Sequence, residues 1–146
     1  MEREMKSIVL ALAVGAALAI SSSAEAQSDK FSGDMNTIVM NAVTGGSAVG
    51  MKLELYEISG AEPRKISQAS TGENGRADLI AKGPLQTGKY ELRFQVGDYF
   101  RKQGIATGDP ALLDFVPVRF SITDPTGHYH VPLICTPWGY TTYRGS

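Results

Sequence analysis

The chain contains two histidines, and both fall in one tripeptide, His128-Tyr129-His130. Imidazole is the side chain that exchanges a proton near neutral pH, so these residues are the first candidates for acid–base chemistry. On a strand, residues two apart share a face, so His128 and His130 point the same way, followed by Pro132 and Ile134. Tyr129, Val131, Leu133 and Cys135 take the other, more apolar face and are expected in the core. The histidines then look onto a surface, a groove or an interface. An H-x-H pair on a strand can also form half of a metal site. No further histidine completes such a site, and no cysteine or acidic cluster sits at ligand spacing. The pair can equally be two strand-face histidines with no role. Arg76 closes the turn Thr71-Gly72-Glu73-Asn74-Gly75. It reads either as a solvated turn end or as a fixed guanidinium whose fork of donors grips an oxyanion or a planar heterocycle. The single cysteine, Cys135, is expected to be a small buried hydrophobe. Alternation turns it away from both histidines, so it has no base to make it a nucleophile.

The chain ends in Trp138-Gly139-Tyr140-Thr141-Thr142-Tyr143-Arg144-Gly145-Ser146. Most termini fray into polar residues. This one is aromatic and strand-prone, so it is expected to dock, with Trp138 and Tyr140 serving as core or interface packing.

The elements that must position these groups are short strands. Apolar–polar alternation bounded by Gly, Pro and Asn predicts strands over 37–43, 51–58, 65–70, 88–94, 114–123, 128–136 and 140–143. Residues 98–104 favour a short helix with Gly104 at its C-terminal cap. Seven strands and one helix make an all-β chain, a two-sheet sandwich. Composition agrees with one soluble globular domain, at 42% hydrophobic and 20% charged residues with 16 Gly and 7 Pro. Lys plus Arg (14) nearly balances Asp plus Glu (15), which gives no electrostatic support for nucleic acid or an anionic membrane as partner. One cysteine excludes an internal disulfide.

The N-terminus reads differently. Arg3 and Lys6 precede 13 uncharged residues, Ile8 to Ile20, and then Ser-Ser-Ser-Ala-Glu-Ala. This is the pattern of a secretory signal peptide, 1–26, cleaved after Ala26, with Met5 as an alternative start. The apolar run is short for a membrane span, so an uncleaved anchor is the less favoured reading. Residues 27–34 form a flexible lead-in and 35–146 the domain. Export to a bacterial periplasm is expected, with no membrane association after cleavage.

Several segments resemble one family. His128 to Leu133 (HYHVPL) and Thr136 to Ser146 (TPWGYTTYRGS) closely resemble the C-terminal signature of the 5-hydroxyisourate hydrolase branch of the transthyretin family. Gly88 to Phe100 (GKYELRFQVGDYF), Leu112 to His130 and the TGENGR turn resemble the same family's middle. The resemblance spans roughly Met35 to Ser146. It implies a transthyretin-like two-sheet sandwich, a homotetramer, and sites in the channel between dimers. It implies ring-opening hydrolysis of 5-hydroxyisourate, a cyclic amide in urate breakdown, with no cofactor and no metal. Carried over, Arg76, His130 and Ser146 are the catalytic positions, and Arg76 and Tyr143 contact substrate. One position departs: where the family's first strand has T-H-V-L-D, this chain has Thr37-Ile38-Val39-Met40-Asn41. Ile38 takes the histidine's place at the substrate but can neither accept a proton nor hold a water. Two functions follow: the hydrolase, or an exported transthyretin-like small-molecule binding protein with weak or lost catalysis. A structural or metal-buffering module using H-x-H across a two-fold axis is a third.

Overall fold

Period-two alternation builds two sheets in this computed structural model, whose described residues are 32–83 and 85–146. They form ten strands and one helix: β1 (Gly33–Asn41), β2 (Gly46–Ser47), β3 (Lys52–Glu57), β4 (Arg64–Ser70), β5 (Arg76–Gly83), β6 (Gly88–Phe94), α1 (Val96–Lys102), β7 (Val116–Ile122), β8 (His128–His130), β9 (Leu133–Thr136) and β10 (Gly139–Thr142). The expected signal peptide and residues 27–31 of the lead-in lie outside the described residues.

One sheet runs β4-β3-β6-β7. The other runs β10-β9-β1-β2, with β5 and β8 also paired to β1. The spine of this second sheet is β1. Its odd positions Met35, Thr37, Val39 and Asn41 are buried, and its even positions Asp34, Asn36, Ile38 and Met40 face outward. One flank of β1 holds β5 antiparallel. The other holds β8 and then β9, both parallel. Between the sheets, Met35, Val39, Leu79 and Leu133 meet Leu53, Leu55, Leu92 and Phe94. Burying each of the larger of these side chains stabilises the fold by about 1.5–3 kcal/mol.

Four differences from the expected elements have local causes. The strand expected over 128–136 is two, broken at Val131-Pro132. Proline has no N–H to give a ladder, and side chains satisfy the carbonyls left over. Thr37 Oγ1 donates to Val131 O at 2.6 Å, and Thr142 Oγ1 donates to Pro132 O at 2.7 Å. The strands β2 and β5 were not expected. Of these, β5 alternates correctly, with Ala77 and Leu79 in and Arg76 and Asp78 out, but alanine is a poor strand former. The first strand starts earlier than expected, since Gly33 and Asp34 belong to β1 rather than to a lead-in. It also ends earlier, because Asn41 Oδ1 accepts the N–H groups of Val43 and Thr44 and turns the chain.

The helix α1 begins at Val96, two residues before the expected start. It ends at Lys102 with Gln103 as its cap, two residues short of the expected end, and Gly104 just beyond terminates it as expected: Gly104 has φ 70°, and the N–H groups of Gly104 and Ile105 donate to Arg101 O and Phe100 O, both at 3.1 Å. The terminal strand docks on β9 as expected, but Trp138 (58%) and Tyr140 (47%) stay exposed and belong to no core of a single chain.

Candidate active site

Register alone assembles a polar row on the outward face of β1. Asp34 lies opposite His128, Asn36 opposite His130, and Ile38 opposite Arg76. The histidines face outward as alternation requires, while Tyr129 between them is buried. His128 Nδ1 sits 2.5 Å from Asp34 Oδ1, and His130 Nδ1 sits 2.5 Å from Asn36 Oδ1. Asn36 Nδ2 donates to Asp34 Oδ2 at 3.1 Å. His130 is partly buried. Burial, and then the positive charge of Arg76, push its pKa below the usual histidine value, against smaller opposing effects of Asn36 and Asp34. It therefore stands neutral at neutral pH, the form a general base needs.

Arg76 is set by the turn before it. Gly75 has φ 74°, and a Cβ there would lie 2.6 Å from Val39 O. Only glycine fits, and its carbonyl takes the Val39 N–H at 2.9 Å, which seats the turn on β1. Asn74 Oδ1 accepts the Arg76 N–H at 3.0 Å. Arg76 is exposed on the same face as Ile38, which is itself partly buried.

The tail returns to His130. Gly145 N–H donates to His130 O at 2.9 Å and forms a one-residue antiparallel bridge with it. A side chain at 145 would collide with ring carbon Cδ2 of His130. The Arg144 guanidinium lies 5.5 Å from the centre of the Tyr129 ring, within cation–π range. Tyr143 and Arg144 share with His130, Val118 and Phe120 the lining of a recess of about 210 Å³. A larger groove of about 450 Å³, at Lys52, Glu54, Gln68 and Asp98, belongs to the other sheet and holds none of these residues.

Of the residues singled out from the sequence, Ile38, Arg76 and His130 share one face. Tyr143 joins His130 at the recess, and Ser146 is exposed one residue past the Gly145 bridge. Cys135 is buried, its thiol pushed up to about 12 by desolvation and directed at Met40 O at 3.6 Å, so it is no nucleophile. Among the described residues no three His, Cys, Asp or Glu side chains cluster to hold a metal. Asp34, Asn36 and Gly145 went unnoticed in the sequence. The signal for the first two was present, as polar residues at alternate positions leading into Ile38, but Asp34 falls in the stretch read as lead-in.

A family model described as HIUase/Transthyretin matches residues 35–145. "5-hydroxyisourate hydrolase 2" of Rhizobium meliloti (strain 1021) is 45% identical over 117 residues, covering 79% of this chain and 98% of its own. Among solved structures, (S)-allantoin synthase aligns with TM-score 0.73 and 34% identity, over 82% of this chain and 45% of that one. The Klebsiella pneumoniae 5-hydroxyisourate hydrolase aligns with TM-score 0.66 and 26% identity, over 77% of this chain and 99% of that one. A match running from the first strand to the penultimate residue makes this chain a member of the HIUase/transthyretin family.

Proposed function

We propose that the chain is a hydrolase that opens the cyclic amide of 5-hydroxyisourate in urate breakdown. The observation that carries this is convergence: β8 and the turn into β5 bring His130 and Arg76 to one face of one sheet, and the returning tail bridges to His130 at Gly145. A protein that only bound a flat ligand would need no neutral imidazole beside a guanidinium. Relatives that carry this activity by name, at 45% identity, support the same reading.

In the proposed reaction, neutral His130 takes a proton from water as the water oxygen bonds to the ring carbonyl carbon. Arg76 holds the carbonyl oxygen and offsets its developing negative charge. The ring C–N bond then breaks, and the imidazolium returns its proton to the leaving nitrogen. Tyr143 and Ser146 close the site and hydrogen-bond the substrate. Ile38 supplies an apolar wall, and His130 alone moves the proton. The working form is a homotetramer, with this outward face lining a channel between dimers. The pattern of residues 1–26 supports export to the periplasm.

The test is the loss of freshly generated 5-hydroxyisourate, followed optically against the uncatalysed rate. The mature protein should accelerate it, and His130→Ala should remove a factor of about 10²–10⁴. Intact tetramers with no acceleration would leave the binding-protein reading in its place.

A further inference from the structure

The reaction above uses neither Asp34 nor Asn36, yet hydrogen-bond chemistry orders them into a chain with one direction. A carboxylate only accepts, so the Asn36 Nδ2 that lies 3.1 Å from Asp34 Oδ2 is the donor. That fixes the amide, because nitrogen toward Asp34 puts Oδ1 toward His130. An amide oxygen also only accepts, so the proton in the 2.5 Å contact sits on His130 Nδ1. A neutral imidazole carries one proton, and Nε2 is left with the lone pair. The carboxylate at the head of the chain is held from its other side, with Asp34 Oδ1 2.5 Å from His128 Nδ1. Backbone pairing sets all four side chains in place: Asp34 is opposite His128, Asn36 is opposite His130, and the Val131 N–H donates to Asn36 O at 3.1 Å. The Gly145 N–H on His130 O restrains the histidine from the tail.

We propose that Asp34 and Asn36 are positioning residues that lock His130 as its Nδ1–H tautomer and leave Nε2 as the base, with His128 anchoring the carboxylate and not touching substrate. The catalytic purpose of this relay rests on the hydrolase reading; the tautomer does not. Asn36 replaces the carboxylate that commonly orients a catalytic histidine. An amide fixes the same tautomer without adding negative charge that would favour the protonated ring.

The experiment reads the His130 ring nitrogens of the full mature protein by ¹⁵N NMR, at a pH where the ring is neutral, beside steady-state kinetics. In the wild type, Nδ1 should show the protonated-nitrogen shift and Nε2 the bare one. Asn36→Leu should move the ring toward the Nε2–H form and lower kcat tenfold or more, with KM changed less than twofold. Asp34→Asn, which frees the Asn36 amide to turn, should give a mixed tautomer and an intermediate loss. This second variant keeps both hydrogen-bonding capacity and size, so it guards against a folding defect in the first. A wild-type ring protonated on Nε2, or an Asn36→Leu ring that keeps Nδ1–H, would overturn the relay and leave the hydrolase standing. The expected tautomer in a wild-type protein without turnover would overturn the hydrolase reading, and with it the relay's role in catalysis.

Discussion

Ile38 sits across from Arg76 on the outward face of β1, with its neighbours Thr37 and Val39 buried on the other side. A side chain there reaches the proposed site without displacing core, so an imidazole at 38 would keep contact with solvent. Ile38→His is expected to raise turnover about tenfold, the order of one positioned acid or base, at an unchanged melting temperature. Lower stability without faster turnover would mean that the isoleucine serves packing. His130 yields a pH prediction whose sign follows from its surroundings. Burial first, and then Arg76, lower its pKa from the ordinary 6.5. Activity from a neutral base is full above the folded value and lost as pH falls through it, so the acid limb of kcat/KM should lie below 6.5. Stability moves the same way: the unfolded chain takes the proton first, so this contribution is lost as pH falls from 6.5 toward the lower folded value. Arg76→Met should shift the acid limb upward, and a pH–rate profile of both proteins checks it. At this scale the sequence was readable where a residue type is rare. Two histidines in one tripeptide announce themselves, and so does an arginine closing a glycine turn. Asp34 and Asn36 were not readable, because Asp and Asn near the start of a domain look like surface until a parallel ladder sets them beside the histidines.

The elements deliver these residues through two close approaches of backbone, the Gly75 turn onto β1 and the tail onto β8. The second is the more exposed to test. Gly145 has no room for a methyl beside the His130 ring, and that ring is held from behind by Asn36. In Gly145→Ala the tail, which adds little to the core, must give way. Turnover should fall tenfold or more while the melting temperature changes by less than about 3 °C, since a surface change away from the core is worth roughly 0.5 kcal/mol. Retained activity would mean that Tyr143 and Ser146 do not act in the site. Strands with bulky alternating residues, such as 88–94, were legible to the residue. The β8–β9 break was not, because a proline in an apolar run shows where a ladder bond is missing but not that a threonine 94 residues away will satisfy the carbonyl beside it. Nor was β5, whose small inward alanine carries little strand signal and whose first residue had already been assigned to the turn.

At the scale of the whole molecule, the proposed export and the proposed assembly are tested at different ends of the chain. If residues 1–26 direct export, the protein recovered from the periplasmic fraction should begin at Gln27, which N-terminal sequencing reads directly; a cytoplasmic protein beginning at Met1 or Met5 would exclude it. The proposed assembly would cover large side chains that the six-stranded sheet and its terminal strand leave exposed: Met40 (45%), Trp138 (58%), Tyr140 (47%) and Tyr143 (56%). Register turns Met40 to the outward face of β1 and Tyr140, opposite buried Cys135, to the other face, and large apolar side chains left exposed are candidates for cover by a partner. Closed homo-oligomers bury the same patch on each copy around two-fold axes. Met40 follows Ile38 on the outward face of β1, so the covering subunit would also wall the proposed site and exclude water from it. Light scattering on the mature protein should give the mass of four chains at micromolar concentration. Met40→Glu places a charge in that contact and should lower both the assembled fraction and the turnover, with activity rising again as protein concentration is raised. A fully active monomer would remove the channel from the mechanism and leave the site to the single chain.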